Sequence, residues 1–384
     1  MKRKITVTTG SRSEYGILRP VIHEISKSKK LELYLIVSGM HLSRKHGLTV
    51  NEIKHDGFKI HETVNMLPEG DSTFSMSKAL GKGILEFSTI FNKLKPDINI
   101  ILGDRDEAFA SALAASHMNI PNGHIHGGDK TKAGIDEYNR HAITKISNLH
   151  FAATKKSKER IIKMGENKKF VFMTGSPSID EVVKDNITSK RDLEKKYNIC
   201  FTGKELILLQ HPVTTQNEST KNEILSTLRA IVKLNRTTIA IFPNSDAGNT
   251  SIFDAIDKYS KKFQFIHSYP SLPRSDFLGM LKNCGALVGN SSSGIIEASY
   301  FQIPVVNIGI RQNSRESGKN VINVSSFSTK SIYLAITKAL KMHSIRKTPL
   351  KNQIYGSGIA SKKIVQILEK TNLNKQLIQK QINY

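Results

Sequence analysis

The chain has 384 residues, and 57 Lys+Arg against 33 Asp+Glu leave a formal charge of +24. At roughly 150 residues per domain, this length suggests two domains or three, and a 38% hydrophobic, 23% charged composition excludes wholesale disorder. Two distant cysteines, Cys200 and Cys284, exclude a disulfide framework or a zinc knuckle, and no apolar run nears the ~18 residues that span a bilayer.

The opening MKRKITVTTG turns polar after one short apolar stretch, too short for a signal-peptide core, so a cytoplasmic protein is expected. The positive surplus invites a nucleic-acid partner. Yet Lys and Arg are scattered, and no RNP, KH or zinc-finger pattern interleaves aromatics with bases. The surplus reads as a Lys-rich surface, part of it suited to a phosphorylated small molecule. Neither nucleic acid nor membrane is an expected partner.

Apolar β-branched runs alternate with amphipathic stretches, the pattern of α/β chains with parallel sheets. Residues 4–10 read as a strand, 13–28 as a helix, and 31–39 and 61–67 as strands. A helix is predicted over 72–95, stopped by Pro96, then a strand over 98–104 and a helix over 107–118. Short strands follow at 122–126, 150–154 and 170–175. After a polar helical link at 184–204 the pattern restarts, with strands at 205–211, 237–244, 263–268, 285–290 and 303–309. Two Rossmann-like, doubly wound domains are expected, 1–178 and 179–365, with a cleft between them.

Ligands of such sheets bind beyond the carboxyl ends of the strands, so polar residues just after strands are the candidates. Gly10-Ser11-Arg12 follow the first strand, where backbone and guanidinium can hold a diphosphate or a serine simply caps the helix. This is not G-x-G-x-x-G, so a nicotinamide cofactor is not favoured. Gly289-Asn290-Ser291-Ser292-Ser293-Gly294 carry more hydroxyls than capping requires and suit a phosphate, with Glu297 placed to accept from ribose hydroxyls. Asp104 ends the fourth strand as a general base or a helix cap. His124 and His126 share a strand face, but no third ligand stands at zinc spacing, so no metal is expected. Asp136 and Arg140 form either an i,i+4 ion pair or a cleft-facing carboxylate tuned by an arginine. His211 ends the first strand of the second domain, either as a structural histidine or as an acid across the cleft.

Taken in order, GSRSEYG (10–16), VSGMHLS (37–43), LGDRDE (102–107), HIHGGD (124–129), IDEYNRHAITK (135–145), QHPVTT (210–215), SLPRSDFLGMLKN (271–283), GNSSSGIIEA (289–298) and IPVVNIG (303–309) resemble the hydrolysing UDP-N-acetylglucosamine 2-epimerases of sialic- and nonulosonic-acid synthesis. The likeness runs over about residues 3 to 365. It implies a GT-B fold, with a C-terminal helix, 366–384, packing back on the first domain, and a homodimer. It implies conversion of UDP-N-acetylglucosamine and water to N-acetylmannosamine and UDP, by anti elimination to a 2-acetamidoglucal followed by hydration. UDP- or GDP-N,N'-diacetylbacillosamine is the alternative substrate; a non-hydrolysing epimerase or a silent sugar-nucleotide binder are further readings. No cofactor is required, and a divalent cation is left open.

The resemblance places Asp104, Asp136, Arg140 and His211 in catalysis, and Arg12, Ser291, Ser292 and Glu297 at the nucleotide. His126 stands where many relatives carry Glu; if it moves a proton, the working pH shifts. Asp129 stands where Glu is usual. Ile310-Arg311-Gln312-Asn313-Ser314-Arg315 replaces the usual D-R-Q-x-G-R.

Overall fold

The computed structural model describes residues 2–131, 134–184, 187–213, 219–344 and 354–383. Thr214 and Thr215 of the QHPVTT run, and 185–186 of the expected link, lie outside them. The first sheet contains β1 (Arg3–Thr9), β2 (Leu31–Ser38), β3 (Ile60–Val64), β4 (Ile98–Leu102), β5 (Asn122–Ile125), β6 (Leu149–Ala152) and β7 (Val171–Met173), in the order β3-β2-β1-β4-β5-β6-β7. The second contains β8 (Leu206–Leu209), β9 (Thr238–Ile241), β10 (Ile266–Tyr269), β11 (Ala286–Gly289), β12 (Val305–Ile308) and β13 (Val321–Val324), in the order β10-β9-β8-β11-β12-β13. Every pairing is parallel. Strand order reverses between β1 and β4 in one sheet and between β8 and β11 in the other, so each sheet has a Rossmann-type switch point. Two such sheets lining one cleft make the GT-B fold that the motifs imply.

The helices are α1 (Arg12–Lys27), α2 (Val50–His55), α3 (Thr73–Leu94), α4 (Asp106–His117), α5 (Ile135–Ile146), α6 (Lys155–Lys163), α7 (Pro177–Val183) and α8 (Lys190–Tyr197), then α9 (Thr220–Leu234), α10 (Asn249–Lys262), α11 (Arg274–Asn283), α12 (Glu297–Phe301), α13 (Thr329–Ser344), α14 (Ala360–Lys370) and α15 (Lys375–Ile378). Local chemistry sets several ends. Ser72 caps α3 by accepting from Ser75 N–H, and Lys95 closes it in the left-handed region before Pro96. No helix among the described residues is long and apolar enough to cross a membrane.

The predicted helical link at 184–204 is shorter than expected. Asn198, at φ +53°, stops α8, and Ile199 and Phe201 turn into the second sheet's core. Elements with no counterpart in the expected series include the helices α2, α6 and α7 and the edge strand β13, which pairs with β12.

One face of the first sheet buries Ile5, Val7, Leu18 and Ile22, and the returning helix adds Ile364 and Leu368 to that same core. The return begins at Ala360 rather than 366. Buried Asp180, on α7, accepts from the N–H groups of Ala360 (2.9 Å) and Ser361 (2.7 Å) and so caps α14 from another helix. On the opposite face, Asn99 links Thr6 (3.0 Å), Asn122 (2.9 Å) and Ser111 (3.0 Å) in a buried polar ladder. Hydrogen bonds with fixed geometry set the register of α4 over the sheet more narrowly than its alanines can. That register delivers Asp104 to Glu107 to the carboxyl edge.

Candidate active site

One cleft runs between the carboxyl edges of the two sheets, and Arg12, Asp104, His126, Asp136, Arg140, His211, Ser291, Ser292, Ser293 and Glu297 all line it. Gly10, Asn290 and Gly294 do not. The Gly10 N–H is taken by Glu14 Oε2 at 2.9 Å, so it is not offered to a phosphate. Gly294 donates to Ser291 O inside a 3-10 turn, 292–294, and a Cβ there would sit 2.9 Å from Val305. That turn leads into the five-residue α12, which carries Glu297 at its first position.

The first sheet supplies the carboxylates. Asp104 pairs with Arg140, which is 1% exposed and also binds Glu137 (2.9 Å), the Thr131 hydroxyl (3.2 Å) and the Asp129 carbonyl (3.3 Å). Burial pushes the Asp104 carboxyl up, but Arg140, Arg315 and Arg311 outweigh it and hold it below the usual range. Asp136 does not pair with Arg140 along the helix. Its Oδ2 accepts from Arg311 at 2.8 Å, across the cleft. Burial and the neighbouring Asp104 charge raise Asp136 to about 6 against the pull of Arg311. Two carboxylates in one site are therefore driven apart in acidity.

His126 leaves the strand: its φ is +64°, so the shared face expected for His124 and His126 does not form. His124 is fully buried and bonds Gly103 O (2.7 Å) and the Thr144 hydroxyl (3.2 Å), a structural role. Both ring nitrogens of His126 are engaged, Nδ1 with Asp129 (3.2 Å) and Nε2 with the Ser176 hydroxyl (2.8 Å). Asp129 also accepts from Ser157 (2.8 Å) and from Arg315 (3.2 Å), and stays strongly acidic. His126 thus organises the wall around an arginine instead of presenting a free nitrogen. No group of three His, Cys, Asp or Glu that could hold a metal gathers among the described residues.

The second sheet supplies hydroxyls and cations. At its switch point Gly289 packs so close to β8 that a Cβ would lie 2.1 Å from Leu209 O. Asn290 spans the gap: its side chain accepts from His211 N (2.7 Å) and donates to His211 O (2.9 Å). It holds the histidine's backbone and does not face the cleft. The His211 ring accepts at Nδ1 from Asn244 N–H (3.3 Å), and burial, with Arg311 and Arg105 nearby, lowers its pKa well below the ordinary value. A neutral imidazole with Nε2–H follows. Glu297 binds Arg274 (2.7 Å) and Ser178 (2.6 Å) through Oε1, leaving Oε2 with neither of these donors. Arg12 lies 3.6 Å from Glu52, and burial lowers its pKa to about 10.

Four arginines of the cleft, Arg105, Arg274, Arg311 and Arg315, escaped the reading from sequence as site residues. Arg311 and Arg315 follow β12, so their place after a strand was the available signal. Ser314 between them adopts φ +75°, in the left-handed region, where the resembling family tends to carry glycine.

A family model described as UDP-N-acetylglucosamine 2-epimerase matches residues 23–369. The chain is 38% identical, over 99% of both lengths, to a protein of Legionella pneumophila named UDP-N,N'-diacetylbacillosamine 2-epimerase (hydrolyzing). It is 31% identical, over 88% of both lengths, to a UDP-N-acetylglucosamine 2-epimerase of Neisseria meningitidis. In fold it is similar to the crystal structure of UDP-GlcNAc 2-epimerase from Neisseria meningitidis bound to UDP-GlcNAc, with a TM-score of 0.79, 22% identity, and coverage of 96% of this chain and 100% of that one. With two facing Rossmann-like sheets and this likeness along its length, the chain belongs to the UDP-N-acetylglucosamine 2-epimerase family.

Proposed function

We propose that this family member is a hydrolysing nucleotide-sugar 2-epimerase. The observation that carries the reading is the split pair Asp104 and Asp136, set opposite the hydroxyls and arginines of the second sheet. Elimination removes the C2 proton and breaks the C1–O bond, whose electrons leave with UDP while C1=C2 forms. Water then adds its hydroxyl to C1 and a proton to C2 on the other face, giving the inverted free sugar.

A weakly acidic C–H asks for a base whose pKa lies near the working pH, so Asp136 is the proton acceptor and the arginine-locked Asp104 orients substrate and water. The departing diphosphate meets Arg12, the Ser291–Ser293 hydroxyls and the neutral His211 Nε2–H, which act where negative charge develops. Glu297 accepts from the ribose. Arg140 and His126 are positioning groups for the carboxylates and for Arg315.

The sugar nucleotide we propose is UDP-N,N'-diacetylbacillosamine, supported by the full-length likeness to the Legionella protein of that name. UDP-N-acetylglucosamine, which the motifs put first, is the second reading, supported by the Neisseria relative. The test is proton NMR in heavy water with these two compounds and GDP-N,N'-diacetylbacillosamine. Free nucleotide plus a 2-epimeric sugar deuterated at C2 is the expected result. An epimer still bound to its nucleotide would refute hydrolysis, and inertness toward all three would refute the reading.

A further inference from the structure

We propose that Asp71 and Arg105, on the first sheet's side of the cleft, position the His211 ring by gripping the chain segment that holds it. The functional part of this rests on the role given to His211 above. The segment is 244–250, which leads from β9 into α10. Helix α10 starts after Gly248 (φ +91°) without a side-chain cap of its own. Its cap comes from across the cleft. Asp71, in the link between β3 and α3, accepts from Gly248 N–H at 2.6 Å and from Thr250 N–H at 3.1 Å. These partners stand 177 and 179 positions away, so the contact exists only while the two halves are closed on each other.

Arg105 makes the second grip. Its guanidinium reaches Ser245 Oγ (3.2 Å) and Asp246 (3.5 Å), while its Nε is anchored on Glu107 at 3.2 Å in its own sheet. Asp246 in turn accepts from the Asn244 side chain at 2.7 Å. The Asn244 N–H then donates to His211 Nδ1, which fixes the proton on Nε2. Asn290 holds only the histidine's backbone, so the ring's orientation depends on this segment. Closing the cleft and aiming the Nε2–H are one event.

Asp71 is solvent-exposed, so Asp71→Ala should fold, with a melting temperature close to wild type. The expected result is a fall in kcat of roughly tenfold with the Kd for UDP within about threefold, since the damage is to aim rather than to nucleotide contacts. Asp71→Asn keeps one of the two acceptor oxygens, enough for the Gly248 N–H but not for the Thr250 N–H as well, and should recover part of the loss. In ¹⁵N-histidine spectra, with His211 assigned through His211→Gln, the wild type should show the Nε2–H tautomer and Asp71→Ala a mixture. An unchanged kcat in Asp71→Ala, or a loss with the His211 signal unmoved, overturns the proposal. If the wild type turns over no nucleotide sugar, the proposed function fails on its own, and the tautomer comparison still decides the coupling.

Discussion

The two switch-point crevices share a topology and differ in what fills them. In the first sheet, the space beyond β1 is taken by the protein's own acids. Glu14 binds the Gly10 N–H, and the Glu107 carboxylate packs where side chains on Gly10 and Gly39 would stand. Burial beside Glu107 raises Glu14 to about 8, so it holds a proton at neutral pH. In the second sheet, the space beyond β8 is left open, walled by Ser291, Ser292 and Ser293 with Arg311 beside them. A diphosphate pressed into the first crevice would meet the Glu107 carboxylate and the Glu14 carboxyl; at the second it meets hydroxyls and cations, with Arg12 of the first half lining the same cleft. One fold, used twice, separates proton chemistry from anion binding by what lines each strand end.

The sharpest way to break this contrast is to exchange the two kinds of damage. Asp136→Asn, on the first side, should lower kcat about 10³-fold while the Kd for UDP, measured by calorimetry, stays within about threefold. A large loss of UDP affinity would show that the division of labour is wrong. On the second side, Glu297→Gln should weaken UDP binding about tenfold, the scale of one charge-assisted hydrogen bond, with kcat nearly kept. The smallest expected effect is a shift in pH. With Asp136 raised to about 6 and acting as a base, kcat/KM should rise through about pH 6 and level off above it. Asp104→Asn removes the negative charge that helps raise Asp136, so the surviving activity should have its acid limb at lower pH. An unmoved limb would separate the two carboxylates electrostatically.

What the sequence disclosed was position along the chain; what it hid was partnership. Asp104 and His211 announced themselves as polar residues just after strands, and the ends of α3 were written in Ser72, Lys95 and Pro96. Asp136 was placed on its helix correctly, yet its partner is Arg311, 175 positions away, and not Arg140 four along. Asn290 read as a phosphate ligand because an Asn before serines suits one. Its bond to His211 depends on how closely β8 and β11 approach, which only the packed sheet reveals. His126 followed the strand's alternation on paper, and a single left-handed backbone angle turned it aside. Edge strand β13, Val321–Val324, has three β-branched residues, but a run of four is too short to show a period, and its pairing with the edge of β12 is what marks it as a strand.

The return of α14 has a consequence for biosynthesis. Arg3, at the start of β1, donates to the carbonyl of Leu368, 365 positions later. At about 5–20 residues per second, a ribosome takes on the order of 20–70 s to make the intervening chain. For all that time α1 stands without the apolar neighbours Ile364 and Leu368 that complete its core. The second sheet carries its own core from β8 to α13 and has no such wait. The half translated first is therefore finished last, and its bare groove is the surface a nascent-chain chaperone would have to shield.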